Sequence, residues 1–498
     1  QLLGGVLAHA AGSVGDRRRT TRGGHVDTGQ KYGSARAAVK RRLRRWHRAQ
    51  TLQESRAMRN DGRPRTITAD EAAALVKSGH WVDYGGALTY PDLFDEALAR
   101  RKSELRDVRI RGCVTMKPRA VIECDPSGEH FLWFNWHFSA YDRAKNLDGR
   151  CNYIPMNFGE APDYYRRFIE PVDVVCIKTC PMDEHGFFNV GPTAAYLRAM
   201  TERARVVVVE TSRAVPYAFG EQNALHASEV DYVVVGDDAP LPQLPNPPVT
   251  DLDRQVANRI IPEIEDGACV QIGIGGMPNA VCAVLKDSGL KNLGIHTEMF
   301  VDGMVDLIES GVVDGSRKNV NRGHAVYTFA GGSQRMYSFL DRNAATHVCP
   351  VDYTNDPAII ARNDRVVAIN NTTQIDLQGQ AASESDGHRH LTGTGGQLQF
   401  VRGAYASRGG KAFICLASTY ERHGQRRSRI VLSLTQGNVV TTPRTDTMYV
   451  VTEYGLVNLK GKSLAERATA LISIAHPDFR EELEREARRV GLIPKHWA

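Results

Sequence analysis

A glycine-rich turn is the feature of this sequence best suited to act on a carbonyl group or a phosphate. In Gln271-Ile-Gly-Ile-Gly-Gly-Met-Pro-Asn-Ala280 an apolar strand pattern runs into glycines, and Pro278 suits the first turn of a following helix. Glycines let the backbone approach a ligand and leave N–H groups facing outward. The turn could therefore hold a phosphate, or the oxyanion that forms when a carbonyl is attacked. Taken alone, it is equally consistent with a plain tight turn.

Glu298 follows in the run Gly294-Ile-His-Thr-Glu298. A carboxylate at the carboxyl end of a parallel strand, beside a glycine loop on the adjacent strand, lies where such sheets bind ligands. A glutamate there can act as a base, a nucleophile or a metal ligand, or it can be an ordinary ion-paired residue. His296 could share its strand face, but we expect it to serve in packing. No His/Asp/Glu cluster has metal-ligand spacing, so no metal site is predicted.

A second glycine-rich loop, Thr392-Gly-Thr-Gly-Gly396, has Arg402 and Lys411 nearby. Such a loop fits a phosphate-bearing ligand, and a simple turn is nearly as consistent. Other motifs fail: residues 455–463 have five residues between the glycines where a P-loop has four, and no Gly-x-Ser-x-Gly elbow occurs. The first loop also lacks the third glycine of a dinucleotide fingerprint.

The elements that must position these loops alternate between strands and helices. Short Val/Ile-rich runs predict strands buried on both faces of a mainly parallel sheet, and amphipathic segments predict covering helices. The predicted strands are 172–177, 206–209, 232–235, 366–369, 430–434 and 448–451. The predicted helices are 69–77, 90–101, 254–265 and 464–473. The fold class is therefore α/β.

The chain also contains a long internal repeat. Residues 78–115 and 266–298 share the order Gly turn, strand, Gly-Gly loop, helix and strand, at an offset of about 188 residues. This repeat predicts two copies of one α/β unit. Residues 239–249 contain five prolines and no charge, so they predict a linker. We therefore assign residues 58–238 to an N-terminal domain and 250–498 to a C-terminal domain that carries Glu298.

Charge is distributed unevenly along the chain. Residues 1–57 hold 13 Lys/Arg and 3 Asp/Glu, whereas the remaining residues hold 50 Lys/Arg and 54 Asp/Glu. A nucleic-acid-binding face on the slightly acidic body is disfavoured. The basic leader fits either an organellar transit peptide or a translated upstream segment, and we favour the second, with the true start at Met58. Weak RNA binding by this leader is a further alternative.

Cysteine usage and hydropathy indicate the compartment. The nine cysteines include no Cys-x-x-Cys pair, which predicts reduced thiols in a cytosol-like setting. No run of 18 apolar residues occurs, so no transmembrane helix is predicted. We expect a cytoplasmic protein, or one of the mitochondrial matrix if residues 1–57 are a transit peptide.

Eight spaced motifs between roughly residues 65 and 490 form a recognisable set. They are Pro181-Met-Asp-Glu-His-Gly186, Gly273-Ile-Gly-Gly-Met-Pro-Asn-Ala280, Gly294-Ile-His-Thr-Glu298, Thr392-Gly-Thr-Gly-Gly396, Phe400-Val-Arg-Gly403, Val450-Val-Thr-Glu-Tyr-Gly455, Leu459-Lys-Gly-Lys462 and Ile474-Ala-His-Pro-Asp-Phe-Arg480. Together they resemble the acetyl-CoA hydrolase/transferase family, in particular the butyryl-CoA:acetate and 4-hydroxybutyrate CoA-transferase branch of the class I CoA-transferases.

The resemblance implies two tandem CoA-transferase domains, a homodimer, and coenzyme A as a substrate rather than a resident cofactor. It implies that Glu298 is the nucleophile and carries CoA as a thioester between an acyl-CoA donor and a small carboxylate such as acetate. The implied CoA contacts are Gly273, Ile274, Gly275, Gly276, Met277, Asn370, Thr392, Gly396 and Lys411. Gln399 occupies a place where the family pattern suggests an acidic residue.

Two other activities are consistent with the same residues. An acyl-CoA hydrolase would let water attack the glutamyl-CoA, although no extra base near Glu298 is evident from the sequence. A non-catalytic ligand-binding module would have no need of the Glu298 carboxylate. Since the hydrolase needs that extra base and the module leaves Glu298 unexplained, we favour the transferase.

Overall fold

The computed structural model describes residues 63–496 apart from 245–246 and 274. The leader hypothesis and the proposed start at Met58 lie outside these residues. An eight-stranded sheet, here called the N-terminal sheet, is parallel throughout. Its strands, in spatial order, are Arg65–Thr66, Tyr232–Val235, Ala204–Thr211, Val172–Thr179, Trp81–Asp83, Val108–Gly112, Phe131–Asn135 and Cys151–Tyr153.

A six-stranded sheet, the C-terminal sheet, is parallel except for its last pair, which is antiparallel. In spatial order its strands are Gly294–Ile295, Cys269–Ile272, Val366–Asn371, Lys411–Cys415, Tyr449–Thr452 and Gly455–Asn458. The remaining strands pair in small sheets: Met299–Phe300 with Phe329–Ala330, Ala325–Tyr327 with Thr346–Val348, Gln374–Asp376 with Ala381–Ala382 and Ile430–Val431, Ser385–Asp386 with Arg389–His390, Thr419–Arg422 with Gln425–Ser428, and Phe187–Asn189 with Ala224–His226.

The two large sheets share an order of five parallel strands. In each, the first strand of the repeated unit (Trp81–Asp83 or Cys269–Ile272) lies beside the second, and three later parallel strands follow on its other side. The N-terminal sheet has two additional strands, Phe131–Asn135 and Cys151–Tyr153, beyond its second strand. Both first strands pair in parallel with the strand that follows their helix. The α/β prediction is confirmed, and the repeat read from the sequence corresponds to one topology used twice. The domain boundaries at 238 and 250 stay a prediction.

Helices cover both sheets, with apolar sides packed inward. Their bounds are Ala69–Ala73, Leu93–Arg100, Ala120–Glu123, Ala140–Leu147, Ala161–Arg167, Leu197–Glu202, Asp251–Ile260, Gly276–Lys286, Asp302–Glu309, Gln334–Leu340, Val351–Thr354, Pro357–Ile360, Gln397–Ala406, Leu464–Ser473 and Pro477–Arg489. Several begin at capping boxes, such as Thr250 with Asp253 and Ser463 with Glu466, which satisfy the free N–H groups of the first turn. No helix among the described residues is long and apolar enough to cross a membrane.

Most predicted elements occur, with shifted ends. The helix predicted at 254–265 is Asp251–Ile260 followed by a short 3₁₀ turn, because Pro262 cannot continue the α-helical hydrogen bonding. The strand predicted at 430–434 is only Ile430–Val431 and joins a small sheet rather than a large one. The nine cysteines are free, and all but Cys124 are buried.

The described part of the proline-rich segment 239–249 has no helix or strand, as its composition predicts. It is nevertheless anchored to the second half of the chain. The Tyr337 hydroxyl donates to the Pro242 carbonyl at 2.7 Å, and the Leu244 N–H donates to the Gly332 carbonyl at 3.1 Å. Leu244 lies in the wall of the cavity described next.

Candidate active site

Glu298 lies in a cavity of about 340 Å³ lined by both halves of the chain. It follows the strand Gly294–Ile295, and its carbonyl accepts hydrogen bonds from the N–H groups of Thr328 and Phe329. The backbone on both sides of the glutamate is therefore fixed by pairing. The lining residues used below are Cys113, Val114, His137, Arg143 and Phe158 from the first half, and Gln271, Gly273, Glu298, Asn370, Thr392 and Gly396 from the second.

Two neutral donors hold the Glu298 carboxylate. The Asn355 side-chain amide donates to Oε2 at 2.5 Å, and the backbone N–H of Gly396 donates to the same carboxylate. Gly396 is the N-cap of the helix Gln397–Ala406, so the positive end of a helix dipole also faces this group. Among the described residues, no lysine or arginine forms an ion pair with Glu298. The carboxylate is thus oriented by hydrogen bonds and not neutralised.

Burial raises the pKa of Glu298 to about 7, and the hydrogen bonds from Asn355 and Gly396 oppose that rise. Burial disfavours the charged form, whereas donors to the carboxylate favour it. A carboxylate with a raised pKa, in a cavity and with no ion-pair partner among the described residues, is a strong candidate for a reactive group.

The position of Gly396 leaves no room for a side chain. A Cβ atom placed there would overlap with Asn355 Nδ2 and Glu298 Oε2. The absence of a Cβ is what lets the backbone N–H of residue 396 approach the carboxylate. The backbone of Gly396, which is predicted as a CoA contact, therefore directly contacts the carboxylate of Glu298, the candidate nucleophile.

The residues predicted from the first glycine loop do not all line the cavity. Gly273 lines the cavity, and Ile274 lies outside the described residues. Gly275 has a φ of 119° and forms the N-cap of the helix Gly276–Lys286, which also contains Gly276 and the buried Met277. The loop brings its backbone to the cavity at Gly273, while the donor on Glu298 comes from the second loop.

Asn370 and Thr392 both line the cavity. Asn370 and Gln271 pair through their side-chain amides, with the Asn370 Nδ2 donating to Gln271 Oε1 at 3.1 Å. The Thr392 hydroxyl lies 2.6 Å from His137 Nε2, which links the second glycine loop to the first half of the chain. Burial lowers the pKa of His137 to about 4, so this imidazole is neutral.

Lys411, predicted as a CoA contact, is not brought to the cavity. It is the first residue of the strand Lys411–Cys415, so it lies at the amino end of the sheet, whereas the cavity lies beyond the carboxyl ends. Its ammonium group forms an ion pair with Glu263 at 2.8 Å. Strand direction thus puts Lys411 at the edge of the sheet opposite the cavity, and its contact with CoA stays a prediction.

The sequence interpretations of His296, Gln399 and metal binding can also be compared with the structure. His296 is buried, its Nε2 donates to the Thr354 carbonyl at 2.8 Å, and it serves in packing. Gln399 accepts a hydrogen bond from the Gly159 N–H at 2.9 Å, so it joins the two halves and does not line the cavity. No group of three potential metal-binding side chains occurs in the described part of the chain.

Sequence reasoning missed Asn355, His137 and Arg143. Asn355 follows the short helix Val351–Thr354, and nothing in its neighbourhood marks it as a partner of Glu298. His137 and Arg143 belong to the first half, whereas all the site residues predicted from the sequence belong to the second half. The one available signal was the repeat, since equivalent sheets predict a second set of loops at a carboxyl edge.

Glu298 lies in a cavity between two related halves, each built on a mainly parallel sheet, and has no ion-pair partner among the described residues. This arrangement is typical of α/β enzymes that act through a carboxylate. The sequence profile of the acetyl-CoA hydrolase/transferase N-terminal domain matches residues 52–245, and that of the C-terminal domain matches residues 332–487. The chain therefore belongs to the acetyl-CoA hydrolase/transferase family. The N-terminal match begins before Met58.

Individual relatives agree with this assignment. The chain is 45% identical over 428 residues to a butyryl-CoA:acetate CoA-transferase of Anaerostipes caccae, covering 85% of this chain and 96% of that protein. The crystal structure of RipA from Yersinia pestis is 38% identical with a TM-score of 0.78, covering 89% of this chain and all of that one. A 4-hydroxybutyrate CoA-transferase from Porphyromonas gingivalis is 33% identical with a TM-score of 0.69, covering 86% of this chain and 98% of that one. The fold is that of the two-domain CoA-transferases.

The raised pKa of Glu298 predicts an acid limb in the rate profile. If the ionised carboxylate is the reactive form, kcat/KM for acyl-CoA falls about tenfold per pH unit below about pH 7. Asn355→Ala removes a donor that favours the charged form, so the limb moves to higher pH. Rates measured across the neutral range in both proteins check this. A limb near the ordinary glutamate value of about 4.3 in both would contradict it.

Proposed function

We propose that this protein transfers CoA from a short-chain acyl-CoA to a carboxylate such as acetate, through a thioester on Glu298. The observation that carries the proposal is the Glu298 carboxylate itself, which lies in the cavity, is held by Asn355 and Gly396 and has no cationic partner among the described residues. Family membership supports catalysis by acyl-CoA:carboxylate CoA transfer over a ligand-binding module. Such a module would also gain nothing from a buried, oriented carboxylate.

The first step is attack of Glu298 on the acyl-CoA thioester carbonyl. Because Asn355 donates to Oε2, the Oε1 atom is the one available to form the new bond. An acyl–glutamyl anhydride forms and CoA leaves as a thiolate, so one acyl bond forms as another breaks. The thiolate is held close by the rest of the CoA molecule, which replaces a bimolecular encounter with a local one.

The second step is attack of this thiolate on the glutamyl carbonyl. It releases the original acyl group as a free carboxylate and leaves CoA bonded to Glu298. Negative charge then develops on the Oε2 oxygen, to which Asn355 donates, and the Gly396 N–H donates to the same carboxylate. Each donor of this type contributes about 10²–10³ in rate. An acceptor carboxylate repeats the two steps in reverse order and leaves as the new acyl-CoA.

The residues that line the cavity around Glu298 favour a substrate with a short and uncharged acyl group. Cys113, Val114 and Phe158 of the first half and Phe329 of the second half line the cavity. They also border a small apolar recess that includes Ala87. No charged side chain lines this recess in the part of the chain that the structure describes. A linear alkyl chain would lose contact with water there, whereas a second carboxylate would lie unpaired.

The hydrolase alternative needs a base that activates water beside Glu298. His137 is the neutral imidazole at the cavity, but its Nε2 atom is engaged with the Thr392 hydroxyl. We therefore place transfer ahead of hydrolysis.

The purified protein can be tested with a panel of acetyl-, butyryl-, hexanoyl- and succinyl-CoA, each with and without acetate or butyrate. We expect exchange of CoA between the short linear acyl groups, ping-pong kinetics and slow release of free CoA when no acceptor is present. Rapid free-CoA release that no carboxylate accelerates would instead establish a hydrolase.

A further inference from the structure

The cavity has one positively charged side chain in its wall. Among the described lining residues the charged ones are Glu298 and Arg143. Arg143 belongs to the first half, on the helix Ala140–Leu147, whose N-cap Ser139 also lines the cavity. With Lys411 on the other edge of the sheet, Arg143 is the cation that this structure offers to a ligand in the cavity.

Arg143 is held in place without being neutralised. One of its guanidinium N–H groups, on Nη1, donates to the Leu391 carbonyl at 3.0 Å, next to the second glycine loop. No carboxylate among the described residues forms an ion pair with it. The two basic side chains that follow this loop are, in contrast, paired with carboxylates. Arg402 forms an ion pair with Asp446 at 2.7 Å, and Lys411 forms one with Glu263 at 2.8 Å. Arg143 therefore keeps most of its donors free.

The helix that carries Arg143 is rigidly attached. Ser139 and Asp142 form a capping box, and the buried Asp142 carboxylate also accepts the Thr115 N–H at 3.1 Å. A guanidinium on such a base is preorganised, and its planar set of donors matches the oxygens of a carboxylate or a phosphate.

We propose that Arg143 binds an oxyanion of the substrate, either a phosphate of CoA or the carboxylate of the acceptor. This inference rests on the proposed function, because both partners of that reaction are anions. The cavity wall is otherwise mostly apolar, and an anion that leaves water for such a wall needs a charged partner. The contact to Leu391 also connects the bound anion to the loop that carries Gly396.

The test uses two variants that separate charge from tethering. Arg143→Gln can still donate to the Leu391 carbonyl but has no charge, whereas Arg143→Lys keeps the charge and loses the planar donors. Lys145→Met is the matched control, since it removes a cation of the same helix that pairs with Glu123 at 2.7 Å and does not line the cavity. KM and kcat are measured for acetyl-CoA, for acetyl-pantetheine, which lacks the phosphates, and for the acceptor butyrate.

We expect Arg143→Gln to raise one KM by about 10- to 100-fold, Arg143→Lys to raise it less, and Lys145→Met to leave it unchanged. A rise for acetyl-CoA that is absent with acetyl-pantetheine assigns the oxyanion to a phosphate of CoA, and a rise for butyrate assigns it to the acceptor. Unchanged KM values for both substrates would overturn the proposal.

A separate measurement distinguishes failure of the Arg143 proposal from failure of the proposed function. The wild-type protein is incubated with acetyl-CoA and checked for a covalent CoA adduct by mass spectrometry. If the adduct forms and the Arg143 variants keep their KM values, the oxyanion contact alone is wrong. If the wild-type protein forms no adduct and transfers no CoA, the proposed function is wrong.

Discussion

Glu298→Gln will fold normally and lose CoA transfer, with kcat lower by about 10⁴-fold or more. Glutamine keeps the shape of the side chain, and its carbonyl oxygen can still accept the hydrogen bond from Asn355. It cannot attack a thioester or carry CoA, because an amide oxygen is a far weaker nucleophile than a carboxylate oxygen. Steady-state rates and intact-protein mass spectrometry after acyl-CoA addition provide the measurement.

The same variant gives a stability signature that a damaged fold would not give. The folded-state pKa of Glu298 is raised above the unfolded value, so its ionisation weakens the folded state as pH rises from about 4.5 to about 7. Above that range glutamine avoids the penalty, and the variant should melt no lower than the wild-type protein. Glu263→Gln, at a glutamate outside the cavity, serves as the activity control. Near wild-type turnover by Glu298→Gln would refute the nucleophile assignment.

Gly396→Ala is the second variant with a large expected effect. A methyl group at this position would collide with Asn355 Nδ2 and Glu298 Oε2, so the carboxylate and its donors must separate. We expect kcat to fall by about 10²–10³-fold, as for loss of an oxyanion donor, with a smaller change in KM.

Gly273→Ala is the matched comparison for this prediction. It is also a cavity glycine, but a Cβ there would make only ordinary contacts, at 3.5 Å from the Ile369 carbonyl oxygen and 3.9 Å from Pro278. The comparison variant should keep kcat and change mainly the KM for acyl-CoA. Equal effects of the two substitutions on kcat would mean that the Gly396 N–H has no special role at Glu298.

The sequence was sufficient to predict the repeat, and through it the architecture. Buried strands have continuous Val/Ile runs, and the glycine turns recur at one offset, so the two halves can be aligned from the sequence alone. Glu298 could be singled out because strand, loop and carboxylate follow one another within a single repeat unit. These are local patterns, which a linear sequence preserves.

The partners of Glu298 could not be predicted in the same way. Asn355 and Gly396 reach it from distant segments, and Arg143 comes from the other half of the chain. Nothing in one sequence shows which loops meet at a sheet edge. The sequence also does not show that Lys411 lies away from the cavity. Strand direction shows it, because the first residue of a parallel strand lies at the amino edge of the sheet.

Contacts between the two halves also determine when the enzyme becomes active during folding. Thr392 meets His137 across 255 positions of sequence, and Arg143 meets Leu391 across 248. Chain closure over such distances follows the formation of local helices and strand pairs, because its entropic cost is high until many native contacts form together. Catalysis should thus return later than helix content after dilution from denaturant. Turnover is then a reporter of docking between the halves, and a spectroscopically native preparation can still contain molecules without a working site.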